Sequence, residues 1–473
     1  MSGAPSARAA TRSRELFVHR SRIAAPAAEV FRWHARPGAL ERLTPPWERV
    51  TVVERRGGIE NGGRVVLRMG RGPFASRWVA EHDGYVEGEQ FRDVQVAGPF
   101  AAWEHTHRVV PAELAACHLE DCIAYALPLG PLGALIGGPV VRSRLARMFA
   151  YRHRVTAQDL AAHARVGGRT MKILVSGSSG LIGSALIPFL TTGGHDVARL
   201  VRRADARGPG TVQWDPAAGT IDAAGLEGFD AVVHLAGENI AGGRWTAAKK
   251  ARIRDSRVGG TRTLVQVLTR LERPPATFVS ASAVGYYGNR GAEPVDETSA
   301  RGAGFLADVV DEWEAATRPA GERGIRVVNL RFGVVLSGAG GALATMLPVF
   351  RLAAGGPIGA GTQYMSWVAI DDVIGTILHA LATPALSGPV NTVAPAAVTN
   401  REFATTLGRV LSRPALLPLP AFVVKLAFGE MGEELLLAGN RVIPRRLQES
   451  GYEFRFPELE GALRHVLGRS RGG

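Results

Sequence analysis

The chain has 473 residues, of which 46% are hydrophobic and 21% charged, enough apolar material for about two or three globular domains and unlike a disordered chain. The net charge is +13, but it comes from arginines scattered among acidic residues, with Lys172, Lys249, Lys250 and Lys425 as the only lysines. With no basic block, helix-turn-helix or zinc-finger pattern, no nucleic-acid partner is expected. Residues 1–15 are small, polar and basic and read as a disordered tail, without the apolar core of a secretory signal. No run of about 18 apolar residues exists, so no membrane span is expected; the best candidate, Leu127 to Val141, is broken by Pro and Gly. Cys117 and Cys122 lie five apart in a strand-like segment, on opposite faces, which argues against a local disulfide and suits a cytoplasmic protein.

Residues 16–164 read as one α+β domain. Segments Phe17–Ala24, Val50–Glu54, Arg64–Arg68, Phe74–Glu81, Phe91–Ala97, Trp103–Val110 and His118–Leu127 are strand candidates, several of them alternating apolar and polar residues as half-buried antiparallel strands do. Pro26–Trp33 and Arg144–Ala164 read as helices, with Pro near the start of the first. A curved antiparallel sheet wrapped on the last helix is the expected arrangement. After a short linker (165–170) the pattern changes. Met171–Ser176, Val197–Val201, Ala231–Leu235, Thr277–Ser280 and Val327–Leu330 are short, nearly continuous apolar strands separated by helix-length segments. This is βαβ alternation, and it predicts a doubly wound Rossmann sheet over 171–395, with a small, mainly helical domain over 396–469.

The strongest motif is Lys172-Ile-Leu-Val-Ser-Gly-Ser-Ser-Gly-Leu-Ile-Gly183, a strand entering a glycine-rich turn and then a helix. Gly177 allows the tight turn, Gly180 lets backbone approach a pyrophosphate, and Gly183 lets helix and strand pack closely. Ser178, Ser179, Leu181 and Ile182 complete the loop, and the helix start offers free N–H groups to phosphate. The second strand ends Val201-Arg202-Arg203, where an NAD-preferring site places a carboxylate. Two guanidinium groups there match a 2′-phosphate, so NADP(H) is the predicted cofactor. Asp205 is the objection, and solvated surface arginines are the alternative.

The 177-180-183 spacing resembles that of extended short-chain dehydrogenase/reductases. Three further segments are similar: His234-Leu235-Ala236-Gly237, whose Leu235, Ala236 and Gly237 would pass the cofactor; Ser280 to Gly288 (SASAVGYYG); and Val368-Ala-Ile-Asp-Asp-Val373. With Gly429-Glu-Met-Gly432, Val442-Ile-Pro444 and Gly451-Tyr-Glu-Phe454, residues 171–468 resemble the atypical, YfcH-type branch of the NAD-dependent epimerase family. The segments Ala39–Trp47, Gly98–His105 and Arg152-His153 resemble the START-like, polyketide-cyclase superfamily, a helix-grip fold around an apolar cavity.

The resemblance implies a catalytic Ser, Tyr and Lys, the last two spaced Y-x-x-x-K. That spacing occurs nowhere in the chain, and the helix that should carry it reads Gly304-Phe-Leu-Ala-Asp-Val-Val-Asp-Glu-Trp-Glu314. Ser282 falls at the catalytic serine, and Tyr286, on the same loop, is the candidate replacement acid, or else a packing residue. Asp308 and Glu312 could replace the missing pair or be a solvated helix face. Arg244, Lys250, Arg254 and Arg257 form a basic stretch; Arg257, where extended members usually carry Asn, is taken as cofactor-binding, and Arg331 could also face the site. His105 and His107 share a strand face, but with no third ligand identifiable no metal site is expected. Trp47, Trp78 and Trp103 read as core or cavity lining.

These features predict an NADP(H)-dependent oxidoreductase or epimerase-like enzyme. Its small-molecule substrate would sit between the strand ends and the segment from about Phe332 to Pro395, and the N-terminal domain would take a hydrophobic ligand. The alternatives are a catalytically silent NADP(H)-binding sensor or scaffold, and a cyclase or dehydratase that uses an acid/base pair in the N-terminal cavity.

Overall fold

The computed structural model describes residues 14–70, 72–202 and 208–469. Arg203 and Asp205, and most of the expected tail, lie outside these residues. The chain forms two compact units, 1–161 and 162–473. The division falls inside a helix, three residues before the expected domain end at 164.

The first unit is an antiparallel sheet gripping a helix. Its strands are β1 (Glu15–Ile23), β2 (Val50–Arg56), β3 (Arg64–Met69), β4 (Ser76–Val86), β5 (Gln90–Ala97), β6 (Ala102–Glu113) and β7 (Ala116–Ala126), in the order β1-β7-β6-β5-β4-β3-β2. All seven match strand candidates. Helices α1 (Ala27–Ala35) and α2 (Ala39–Leu43) follow β1. Alternation decides the faces: in β7, Cys117, Leu119, Ile123 and Tyr125 are buried and Cys122 is half-buried. Inward residues of the strands pack with Trp33 of α1 in one cluster and with Phe149 in another. Phe149 belongs to α3 (Gly130–Arg165), which starts fourteen residues before the expected Arg144. The Gly- and Pro-rich stretch before Arg144 is helical as well, with Pro139 accommodated inside the helix.

The second unit carries a Rossmann sheet. Its strands are β8 (Lys172–Ser176), β9 (Asp196–Val201), β10 (Thr211–Asp215), β11 (Thr220–Ile221), β12 (Ala231–His234) and β13 (Thr277–Ala283). The short β14 (Pro294–Val295), then β15 (Arg326–Phe332), β16 (Val334–Leu336), β17 (Tyr364–Met365), β18 (Trp367–Ala369) and β19 (Gly388–Thr392) follow. The main sheet runs β11-β10-β9-β8-β12-β13-β15-β19, parallel except at β10/β11. Successive residues serve opposite faces. Ile173, Val175, Val233 and Val279 pack with α4 (Leu181–Thr192) and α9 (Ile370–Ala382), whereas Leu174, Val232 and Phe278 pack with α5 (Ala247–Leu268) and α7 (Arg318–Glu322). Helix α6 (Phe305–Ala315) follows β13, and α8 (Gly341–Arg351) follows β16.

The expected boundary at 395 is spanned by a shared core. Phe403 and Leu407 of α10 (Asn400–Leu411) and Leu463 near the C-terminus pack with Leu336, Leu347 and Trp367. The Asp371-Asp372 pair anchors the same tail. Asp372 accepts hydrogen bonds from the N–H groups of Arg455 (2.7 Å) and Phe456 (3.0 Å) and from the Tyr452 hydroxyl, while Asp371 meets His465 at 3.0 Å. Burial pushes the Asp372 carboxyl up to about 6 against these donors. Among the described residues no helix is long and apolar enough to cross a membrane.

Candidate functional site

The chain leaves β8 for β9 on one side and returns to β12 on the other, so the strand order reverses between β8 and β12. In doubly wound sheets ligands bind at such a switch point, outside the C-terminal strand ends. Both candidate cofactor segments meet here. Gly177 has φ +68°, and a Cβ on it would lie 2.7 Å from the carbonyl carbon of Leu235 and 2.8 Å from the nitrogen of Ala236. A Cβ on Gly183 would lie 2.3 Å from the Gly177 oxygen. Glycine is therefore required at both positions, for approach to the neighbouring strand and for helix packing. Ser176 locks the two segments: its Oγ accepts from the N–H groups of Leu235 (3.0 Å) and Ala236 (3.3 Å) and shares a 2.7 Å hydrogen bond with His234 Nδ1. Burial lowers His234 to about 4, so the imidazole is neutral at pH 7.

Helix α4 has Gly180 as its N-cap and no side-chain cap, so the first-turn N–H groups of Leu181, Ile182 and Gly183 have no intrahelical partners. By contrast α5 is capped by Thr246, α10 by a Thr399–Glu402 capping box, and α6 by Glu434, which accepts from the N–H groups of Phe305 (2.9 Å) and Leu306 (3.0 Å). Arg257 adds a cation. Its guanidinium lies over Trp313 at 5.3 Å, would meet a Cβ on Gly237 at 3.4 Å, and donates to the Ile253 carbonyl. It forms no ion pair among the described residues, and burial lowers it to about 10 against the pull of Glu238. An uncapped helix start, a glycine turn and a half-buried guanidinium with no ion pair among the described residues fit a dinucleotide pyrophosphate. Arg202 is exposed at the end of β9.

Ser282 and Tyr286 sit at the end of β13 and in the turn after it, and the structure adds partners that sequence reading left unassigned. The Ser282 hydroxyl donates to Glu314 Oε1 at 2.6 Å. Arg331 grips both Glu314 oxygens at 2.7 Å and donates to the Tyr287 hydroxyl at 3.0 Å. That hydroxyl in turn donates to Asn391 at 2.7 Å. The Tyr286 ring lies flat against the Arg331 guanidinium, 3.5 Å from centroid to Cζ. Burial would lower Arg331, but Glu314 outweighs it and holds the guanidinium charged; burial also raises Tyr287 to about 12. Glu314 could have been suspected as the acidic residue closing the very helix that lacks the Y-x-x-x-K pair.

Other candidates resolve as solvated pairs. Asp308 pairs with Arg301, Glu312 with Arg254, and Lys250 with Glu430. An open cleft of about 510 Å³ is lined by Lys250, Arg254, Phe305, Asp308 and Glu430, and neither Ser282 nor Tyr286 is among its lining residues. Arg254 and Arg257 do not act together: the first is half-exposed and paired with Glu312, the second half-buried over Trp313.

In the first unit His105 and His107 acquire the third group that sequence reading lacked. Asp93 of β5 stands opposite His105 in register, and Asp121 of β7 opposite His107. Burial alone would lower His105, but Asp93 and Asp121, one at each ring nitrogen, raise it to about 9. Period-two alternation carried a signal here, since Asp121 interrupts the inward apolar row of Leu119, Ile123 and Tyr125. Trp78 and Trp103 pack edge-on at 5.0 Å, and Trp47 packs against Tyr151.

Comparison with known proteins agrees with this division. Residues 173–393 match the NAD dependent epimerase/dehydratase family, 23–150 match the family described as polyketide cyclase/dehydrase and lipid transport, and 419–466 match a domain of unknown function. An epimerase family protein of Mycobacterium tuberculosis is 46% identical over 297 residues, covering 63% of this chain and 98% of that protein. The human epimerase family protein SDR39U1 is 41% identical over 300 residues, covering 63% of this chain and 100% of its own. Its crystal structure with NADPH superposes with a TM-score of 0.59 at 40% identity, covering 63% of this chain and 99% of that one. A nucleoside-diphosphate sugar epimerase from Corynebacterium glutamicum has a TM-score of 0.80 at 34% identity, covering 96% of this chain and 90% of that one. The switch-point cradle, the Rossmann sheet and these likenesses place the chain in the NAD-dependent epimerase/dehydratase family, with a polyketide-cyclase-type unit preceding its Rossmann unit.

Proposed function

We propose that the second unit is an NADP(H)-dependent oxidoreductase or epimerase-like enzyme acting on a small molecule. The observation that carries this reading is the cradle of Gly177, Gly180 and Gly183 before an uncapped helix, beside Arg257, which has no ion pair among the described residues. Ser178, Ser179, Leu181 and Ile182 border the pyrophosphate, Leu235, Ala236 and Gly237 flank the nucleotide, and Arg202 and Arg203 take the 2′-phosphate. The NADPH in the human relative's structure supports the choice of NADP(H). When bound, NADP(H) supplies hydride chemistry.

The chain's own part is to hold the reacting oxygen and move a proton. Ser282 offers lone pairs to a substrate hydroxyl while its own O–H donates to Glu314. Tyr286, held flat by Arg331, is the proton donor or acceptor. The first unit takes a hydrophobic ligand, in keeping with the family it matches. One observation favours the silent, nucleotide-sensing reading: Ser282 is 3% exposed and its proton is committed to Glu314.

The test is fluorescence titration with NADPH and NADH of wild type and of Arg202→Asp/Arg203→Asp. NADPH should bind wild type more tightly than NADH and weaken about tenfold or more in the variant, with NADH unaffected. Binding of neither nucleotide overturns the proposal. If NADPH turnover on a screened substrate survives Ser282→Ala/Tyr286→Phe unchanged, the assignment of those two residues fails; NADPH binding with no turnover of any screened substrate favours the sensor reading.

A further inference from the structure

The polar cluster inside the first unit has the arrangement of a metal centre. Asp93, His105 and His107 bring one ligand atom each to within 4.8 Å of one another. Asp93 Oδ1 lies 3.1 Å from His105 Nδ1 and 3.5 Å from His107 Nε2. Donors bonded to a shared ion at about 2.0–2.2 Å stand about 3–3.5 Å apart, so these two separations match edges of a coordination polyhedron, and the two imidazole donors lie within 4.8 Å of each other.

What lies behind the three donors strengthens the point. Metal-binding imidazoles usually present their second nitrogen to a carboxylate, which orients the ring. Asp121 Oδ1 lies 2.7 Å from His105 Nε2 and 2.7 Å from His107 Nδ1, so one oxygen backs both rings, although only the His105 contact is aligned as a hydrogen bond. Its Oδ2 lies 2.5 Å from His153 Nε2 of α3. Asp93 is oriented likewise: the Trp103 indole N–H donates to its Oδ2 at 3.3 Å, which leaves Oδ1 toward the two imidazoles. Phe91 stacks on His107 at 4.2 Å and Phe149 meets His105 edge-on, so the rings are held by packing as well as by charge. Four elements of the unit converge on this point, which is more than a buried ion pair requires.

We propose that Asp93, His105 and His107 bind a divalent first-row transition ion, with Asp121 as the carboxylate that positions both imidazoles. Two imidazoles and one carboxylate leave open positions on such an ion for water or an oxygen-bearing ligand. The site belongs to the first unit and does not depend on the reading of the second.

The test uses the untagged full-length protein, stripped with a chelator and titrated with Co²⁺ under visible absorption, then challenged with Zn²⁺. Wild type should show a saturable d–d spectrum at a single equivalent per chain, erased by Zn²⁺. Asp93→Asn, close in shape, should lose affinity more than tenfold, and Asp121→Asn by about 10–100-fold through its effect on ring orientation. Far-UV circular dichroism and the first unit's own thermal transition verify that each variant is folded. His107→Gln replaces any variant that is not, judged by the same readings. A folded wild type with no saturable Co²⁺ spectrum, or one whose spectrum and affinity persist in Asp93→Asn, overturns the proposal.

Discussion

At the scale of single residues, the clearest consequences come from atoms that have no room to change. Gly183→Ala puts a methyl group 2.3 Å from the Gly177 oxygen, a backbone atom that cannot swing aside. The substitution should cost about 1–3 kcal/mol of stability and weaken NADPH binding about tenfold or more, read by thermal melts and fluorescence titration. Arg331 is the opposite case, a charge that cannot lose its partner. Arg331→Met leaves Glu314 half-buried with no counter-charge and should destabilise the second unit by about 3–5 kcal/mol. Arg331→Met/Glu314→Leu should recover much of that loss, and a double-mutant cycle in denaturant melts measures the coupling. His234 sets a pH dependence. Its folded pKa, about 4, lies below the unfolded value near 6.5, so the unfolded chain binds the extra proton between them. The contribution is present above pH 6.5 and is lost as pH falls toward 4, by about 3 kcal/mol in all. Melts of wild type and His234→Asn across that window should show the steeper acid decline in wild type.

At the scale of elements, helix starts differ in how they are closed: α5 and α10 by their own N-cap threonines, α6 by a distant carboxylate, and α4 by no side chain. Helix α6 has only Gly304 (φ +112°) before it and takes its cap from Glu434, about 130 residues further on. Glu434→Ala should lower stability by about 1–2 kcal/mol and, by loosening α6, displace Glu314 at its other end. Urea unfolding measures the first effect. Helix α4 lacks any such cap, and that omission makes its first turn available to phosphate. The seven strands of the first unit were all legible, several of them through alternation, which records burial directly, as in β1 and β7. The first half of α3 was not: Gly133, Gly137, Gly138 and Pro139 carry strong breaker signals, yet all four lie inside the helix.

At the scale of the whole molecule, each unit has its own apolar core. Calorimetry should resolve two transitions, with NADPH raising only the one that belongs to the second unit. A single transition shifted as a whole would mean the units unfold together. The paired aspartates Asp371 and Asp372 show how the C-terminal tail joins the Rossmann body: both are buried, and both are satisfied by residues 452–465.

Local rules made the cofactor end readable. A buried strand, three glycines at fixed spacing and a helix start act through backbone geometry within twelve consecutive residues, so they are written in the sequence at full strength. Alternation likewise assigned each strand its inward face. Glu314 against Ser282 and Arg331, Glu434 on α6, and Asp93 and Asp121 around His105 and His107 are of another kind. Each joins residues from separate elements, and which residue stands opposite which depends on strand register and helix docking. Those are settled by packing the entire core, a quantity that no short stretch of residues contains.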